Sequence, residues 1–298
     1  MTGAPSRLVL LTGLSGSGKS VVLNALEDAD YFCVDNLPPA LLQQLVESLL
    51  EKGETRMAAA IDARTGVDVE GLTATLEHLR SKGINTNVLF LTARPEILLQ
   101  RYSETRRRHP LSHDDAGRAD EEGGGRSLRE CIELEQDLMA GYADLGMPLD
   151  TSDLKSSALR SWVRELLTLK AAPLTLSFQS FAYKEGIPLD ADLVFDARCL
   201  PNPFYEPRLR ELTGKDKKVV DFLKSHASVD QMVDEIDGYL QRWLPHYQKE
   251  QRSYLTVAVG CTGGQHRSVY CCEALASRFR ANWPVLVRHR SLMGRGLD

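Results

Sequence analysis

Apolar positions along the 298-residue chain follow two periods that alternate. Short apolar runs at 8–11, 31–34, 57–61 and 87–91 read as buried strands. Between them come stretches with helical spacing. Residues 40–52 carry Leu41, Leu42, Leu45, Val46, Leu49 and Leu50 on one face, with Pro38 and Pro39 at the start and Gly53 as the stop. A helix over 71–82 stops at Gly83, and another starts at Pro95 and runs through Leu98, Leu99 and Tyr102. A helix over 128–139 and a strand over 147–149 follow, and Thr151, Ser152 and Asp153 read as the cap of a helix over 154–169. Ala171-Ala172-Pro173 reads as a linker. The alternation then resumes, with strands at 174–181, 192–196 and 254–259 and an amphipathic helix over 229–244. A last helix carries Val269, Cys272, Leu275, Ala276 and Phe279. Strands alternating with helices predict parallel sheets whose ligands sit at the carboxyl ends of the strands. Two α/β domains are expected, over 1–170 and 174–298, the second the smaller.

The first strand leads straight into Gly13-Leu14-Ser15-Gly16-Ser17-Gly18-Lys19-Ser20, and Val21, Val22 and Leu26 follow at helical spacing. This is the G-x-x-x-x-G-K-[ST] phosphate loop between a strand and a helix. Its glycines let the backbone wrap around an anion, and the helix start adds a positive dipole end. Lys19 is placed to reach the β- and γ-phosphates, as a catalytic cation, and the Ser20 hydroxyl to ligate Mg²⁺. The N-terminal domain is thus expected to be a P-loop kinase-like parallel sheet with flanking helices that binds a nucleoside triphosphate, and a small-molecule kinase, which an arginine-bearing lid would suit, stays open as an alternative function. An acidic Mg²⁺ ligand belongs at the end of a strand beside that loop. Thr92 stands where the 87–91 strand ends, so Asp62, closing an apolar strand, is the choice, and Asp35 is the second candidate or a turn residue. Residues 101–126 are rich in Arg and Gly, which fits a lid over the nucleotide and equally a surface loop.

The strand over 254–259 repeats the design, running into Gly260-Cys261-Thr262-Gly263-Gly264-Gln265-His266-Arg267-Ser268 and a helix. It lacks the lysine but has Arg267 for a bidentate phosphate contact, so Cys261, Thr262, Gly263, His266 and Arg267 form a second candidate anion site. Cys-x5-Arg is also the spacing of cysteine-dependent phosphatases, which leaves catalysis by Cys261 open beside plain binding.

Charge sharpens this picture. The chain carries −5 overall, yet its last 48 residues hold seven arginines against Glu273 and Asp298, a net +5, so the rest carries −10. A basic tail on an acidic body points to a polyanionic partner. Arg288 and Arg290, alternating on a strand-like segment, are the candidate RNA contacts. No apolar run approaches the roughly 20 residues of a membrane span, and six cysteines without a C-x-x-C pair read as buried thiols, so a cytoplasmic protein is expected.

These residues resemble a known family. GLSGSGKS at 13–20, DNLP at 35–38, SETRRRHPL at 103–111, DLVFDAR at 192–198, LPNP at 200–203 and GCTGGQHRSV at 260–269 are similar to the RapZ (YvcJ-type) P-loop nucleotide-binding proteins, bacterial RNase adapters. The resemblance implies ATP and GTP binding with slow hydrolysis and a second, GTP-linked nucleotide segment at Asp62, Ala63, Arg64 and Thr65. It further implies a C-terminal domain that binds a small RNA and an endoribonuclease partner, senses glucosamine-6-phosphate through the GCTGG-x-HR loop, and belongs to a homo-oligomer. Two positions depart from the pattern. Phe204 stands where the family often has His, and the end, Met293-Gly294-Arg295-Gly296-Leu297-Asp298, carries no Lys/Arg cluster.

Overall fold

The computed structural model describes residues 6–62, 68–112, 126–168, 174–249 and 254–293. The chain divides into two compact units, Met1–Ser152 with Leu159–Arg164, and Asp153–Ala158 with Glu165–Asp298.

In the first unit, β1 (Arg7–Gly13), α1 (Lys19–Glu27), β2 (Phe32–Val34), α2 (Leu42–Glu51), β3 (Arg56–Ala60), α3 (Val69–Ser81), β4 (Asn85–Thr92), α4 (Pro95–Thr105), α5 (Leu128–Ala143) and β5 (Met147–Asp150) follow in order. The strands pair in the order β2-β3-β1-β4-β5, all parallel, so β1 is central and its end is flanked by β3 and β4. Helices cover both faces, which is why β1 from Leu8 onward is buried on both sides and reads as an unbroken apolar run. Its core joins Leu8 and Leu10 to Leu42, Val46, Leu76 and Leu79 of the flanking helices. The helix predicted from residue 40 begins instead as a 3-10 turn over Pro39–Leu41, since Pro39 supplies a preset φ but no N–H.

The second unit holds most of α6 (Ser156–Thr168), then β6 (Thr175–Ala182), β7 (Leu193–Asp196), α7 (Lys217–Lys224), α8 (Ala227–Lys249), β8 (Tyr254–Cys261), α9 (Arg267–Phe279), β9 (Val285–His289) and the four-residue α10 (Arg290–Met293). Its sheet runs β7-β8-β6-β9, again all parallel, over its own core of Leu174, Phe178, Leu255, Val257, Leu275 and Phe279. α7 carries three lysines against a narrow stripe of Val219 and Leu223, too short a pattern to read in advance.

Two local expectations need correction. Thr151 and Ser152 do not cap α6. The Thr151 hydroxyl donates to Ser17 O at 2.7 Å, and the Ser152 hydroxyl to Asp150 Oδ1 at 2.5 Å. Nor do Arg288 and Arg290 alternate on one strand, because β9 ends at His289 and Arg290 opens α10. Among the described residues no helix is long and apolar enough to cross a membrane. Half of the expected lid over 101–126, residues 113–125, lies outside the described residues, as does the linker at 171–173, and the start of that lid segment is the end of α4.

Candidate functional site

The phosphate loop leaves β1 at Gly13, whose φ of +116° lies in the left-handed region. A Cβ there would stand 2.0 Å from the Leu91 carbonyl, so only glycine fits. Gly16 and Gly18 are also left-handed, at +80° and +107°, and carry the backbone around to α1. Gly18 is the N-cap of α1 and provides no side-chain cap, which leaves the amides of the first turn facing the loop. The Lys19 ammonium lies over this loop, donating to the carbonyls of Gly13 and, at 3.1 Å, Leu14. In the same loop the Ser17 hydroxyl is fully buried and has no hydrogen-bond partner, and Thr12 Oγ1, at the end of β1, is in the same condition.

Asp62 lies two residues past the end of β3. The Ile61 amide donates to Leu11 O at 2.8 Å, which ties this strand end to β1, and Asp62 is 5% exposed. Asp35 is exposed and accepts from its neighbour's amide, Asn36, itself left-handed at +54°, so Asp35 closes a turn. Ala63, Arg64 and Thr65 lie outside the described residues.

The outer side of the loop is gripped by side chains the sequence did not mark. Arg101 of α4 donates to Gly16 O at 3.0 Å and to Thr151 O at 2.7 Å. Glu135 of α5, with no exposed surface, accepts from the Ser15 amide at 2.8 Å and the Ser15 hydroxyl at 2.7 Å. His109 Nε2 lies 3.3 Å from the same carboxylate. Burial pushes the Glu135 pKa up, but the hydrogen bonds from His109 and Ser15 and the charge of Lys19 outweigh it, leaving the carboxyl below its ordinary value. A signal for Glu135 did exist. It stands on the same stripe as Cys131, Ile132, Met139 and Tyr142, an acid where the period asks for an apolar residue.

In the second unit β8 ends at Cys261, and the turn that follows delivers the uncapped N-terminus of α9. Gly264, at φ +63°, passes so close to Ser291 that a Cβ would stand 2.2 Å from its hydroxyl, whereas Gly263 faces open space. Arg267 is 4% exposed. It donates to the carbonyls of Arg198 at 2.9 Å and Leu200 at 3.1 Å and to the Thr262 hydroxyl at 3.3 Å, while its buried Nε–H has no partner. His266 donates from Nε2 to Leu209 O at 3.0 Å, and burial, first among its causes, lowers its pKa. The Cys261 thiol is 2% exposed and lies 3.1 Å from the Ser268 hydroxyl. Burial pushes that thiol up, but hydrogen bonds from Ser268 and the charge of Arg267 bring it below its ordinary value. At the rim Arg198 forms a bidentate pair with Asp196 and stacks on Tyr183, 3.9 Å from the ring centre.

Both halves match known sequence families. Residues 6–171 match the RapZ-like N-terminal domain, and residues 174–293 the RapZ C-terminal domain. The chain belongs to the RapZ family. It is 53% identical over 284 residues to a nucleotide-binding protein of Paraburkholderia xenovorans, with 95% of each chain covered. It is likewise 53% identical over 287 residues to one of Methylobacillus flagellatus, covering 96% of this chain and 99% of that one. Among solved structures, a shikimate kinase from Acinetobacter baumannii overlays with a TM-score of 0.37 at 15% identity, covering 55% of this chain and 93% of the kinase.

One placement on the RapZ C-terminal domain departs from the sequence reading. Arg288, 1% exposed, pairs with Asp190 at 3.2 Å, and Arg290, 6% exposed, pairs with Asp153 and lies 3.7 Å from Asp190. Gln179, the register neighbour of Arg288, also donates to Asp190, at 3.2 Å. These two cations are interior ion-pair partners rather than exposed side chains.

Proposed function

We propose that this RapZ-family protein binds ATP and GTP at the phosphate loop with Mg²⁺ and hydrolyses them slowly, and that it acts as a regulatory RNA-binding adapter. What carries the nucleotide reading is the convergence on one loop of left-handed glycines, the uncapped start of α1 and Lys19. The residues fit the metal as well. A hydroxyl at Ser20 and a carboxylate at Asp62 are the oxygen donors Mg²⁺ takes. Bound Mg²⁺ would neutralise phosphate charge. Lys19 adds a cation that follows the charge shift onto the leaving phosphates. The second nucleotide segment, Asp62 to Thr65, remains part of this reading.

For the second unit the reading is recognition of a phosphorylated metabolite, a hexosamine phosphate by the family pattern, without turnover. Support comes from the partnerless Nε–H of Arg267, the α9 N-terminus and the open backbone at Gly263. The Cys261 thiol is buried against Ser268, which favours binding over attack on phosphorus.

The deciding experiment is steady-state hydrolysis and calorimetric nucleotide binding by wild type, Lys19→Ala and Asp62→Asn. Lys19→Ala should lose detectable turnover while staying folded, and Asp62→Asn should need more Mg²⁺ for half-maximal rate. Unchanged turnover in Lys19→Ala would sink the nucleotide reading. For the second site, titration with glucosamine-6-phosphate should give heat with wild type and none with Arg267→Ala. Release of inorganic phosphate would point back to Cys261 chemistry.

A further inference from the structure

The grip of α5 on the phosphate loop has no counterpart in the nucleotide-binding motif itself. We propose that Glu135 is a positioning residue for nucleotide turnover, fixing Ser15 in the phosphate loop, and that His109 in turn fixes Glu135. The proposal rests on the nucleotide reading above.

A carboxylate with no exposed surface costs several kcal/mol unless donors satisfy it. Glu135 has three donors arranged around it. Ser15 N–H and His109 Nε2 converge on Oε2, at 2.8 and 3.3 Å, and the Ser15 hydroxyl meets Oε1 at 2.7 Å. The tautomer of His109 follows from its other nitrogen. Leu111 N–H donates to Nδ1 at 3.2 Å, so Nδ1 presents its lone pair and the ring proton sits on Nε2, aimed at Glu135. The Tyr102 ring, 5.2 Å from the imidazole, packs on its side, and the same Tyr102 lies 3.2 Å from where a Cβ on Gly16 would be. Loop, α4, His109 and α5 are thus one packed unit.

A purely structural ion pair is the competing account, and two observations count against it. Apolar residues at position 135 would complete the stripe of α5 with less desolvation cost, yet a carboxylate stands there. Its bonds go to Ser15, which lies between the left-handed Gly13 and Gly16 and which the bonds from Arg101, Lys19 and Thr151 to neighbouring loop carbonyls do not reach. A backbone that presents amides to phosphate must be held closely, since a shift of about 1 Å can cost on the order of 100-fold in rate. Pinning Ser15 at both its amide and its hydroxyl supplies that hold.

The test uses the full chain, steady-state hydrolysis with Mg²⁺ and ATP, and nucleotide affinity by calorimetry. Glu135→Gln removes the charge and, with its oxygen kept toward Ser15 N–H and His109, turns the Ser15 hydroxyl from donor to acceptor. It should lower kcat roughly 10- to 100-fold with KM within about threefold of wild type. His109→Leu should show the same split. His109→Gln, whose amide N–H can reach toward the carboxylate, should recover most of the loss. Should Glu135→Gln fail to fold, Ser15→Ala removes the hydroxyl bond alone and should still lower kcat several-fold. Wild-type kcat in Glu135→Gln or Ser15→Ala, a change confined to KM, or equal behaviour of His109→Leu and His109→Gln would overturn the proposal. Loss of turnover in Lys19→Ala upholds the nucleotide reading whatever the Glu135 variants do. A wild-type chain with no turnover removes both.

Discussion

Single residues set the phosphate loop through backbone limits and buried charge. Gly13 combines a φ of +116° with a neighbouring carbonyl 2.0 Å from any added Cβ, so Gly13→Ala must move β4 or the loop. Backbone strain of this kind costs about 1–3 kcal/mol before the clash is counted. Urea unfolding should show Gly13→Ala less stable by at least that amount, whereas Gly53→Ala, left-handed but with open space around it, should show the smaller loss of strain alone. Glu135 supplies a pH signature. Its pKa is lowered on folding, so its contribution is present above the ordinary glutamate value, about 4.5, and is lost as pH falls through the folded value. Stability of wild type should therefore drop on acidification below that pH, and Glu135→Gln should show a shallower drop. Parallel acid limbs in the two proteins would mean that the carboxylate is not the ionised acceptor its hydrogen bonds describe.

Among elements, those with a strong period were legible and those defined by a distant partner were not. β1, the phosphate loop and α1 could be read because the glycines, the lysine and the apolar run are contiguous, and each has a local physical cause. The same held for β8, its Gly-rich turn and α9. α5 was legible as a helix, but its period shows only which face is buried. That Glu135 meets Ser15 depends on a contact 120 residues away in sequence, and nothing local announces it. β9 misled for the same reason. Arg288 and Arg290 look like surface cations by composition, whereas Asp190, 98 residues before Arg288, draws both inward. This gives an element-scale prediction. Removing one partner of a buried pair costs up to about 3–5 kcal/mol, the upper end applying where the other charge is left alone, whereas Arg290 and Gln179 still face Asp190 here. Arg288→Ala should destabilise the protein by up to that amount in urea titration, while the fraction that stays folded binds RNA as wild type does. A stable Arg288→Ala variant with weakened RNA binding would restore Arg288 to the surface role its position in a basic tail implied.

For the whole molecule, the described arginines of the tail do not form the cationic surface its net +5 describes. Arg267, Arg288 and Arg290 are buried, Arg278 is paired with Asp234 and Asp237, and Arg252 and Arg295 lie outside the described residues, leaving Arg280 exposed. Exposed cations gather elsewhere in the second unit, at Arg208, Arg210, Lys215, Lys217, Lys218 and Lys224. They follow two exposed aromatics, Phe204 and Tyr205, 49% and 78% accessible, and Arg210 lies over the Phe204 ring at 4.9 Å. Lys217 is partly engaged with Asp221, an exposed pair of little strength. Cations beside stacking rings are what a polynucleotide uses, phosphate for phosphate and base for ring. If RNA binds this chain, it should therefore bind through residues 204–224. About four phosphate contacts would give a log–log salt slope of roughly −3 to −4 on paired regions. Replacing Arg208, Lys215 and Lys218 together by Gln should flatten that slope by about one for each contact removed. Tyr205→Ala should weaken binding without changing the slope, since a ring releases no counterion. Gel shifts of the full chain across a salt series separate the two effects. An unchanged slope in the triple variant would place the polyanion on another face, and no binding to wild type at low salt would leave the protein a metabolite-responsive nucleotide binder with no RNA to deliver.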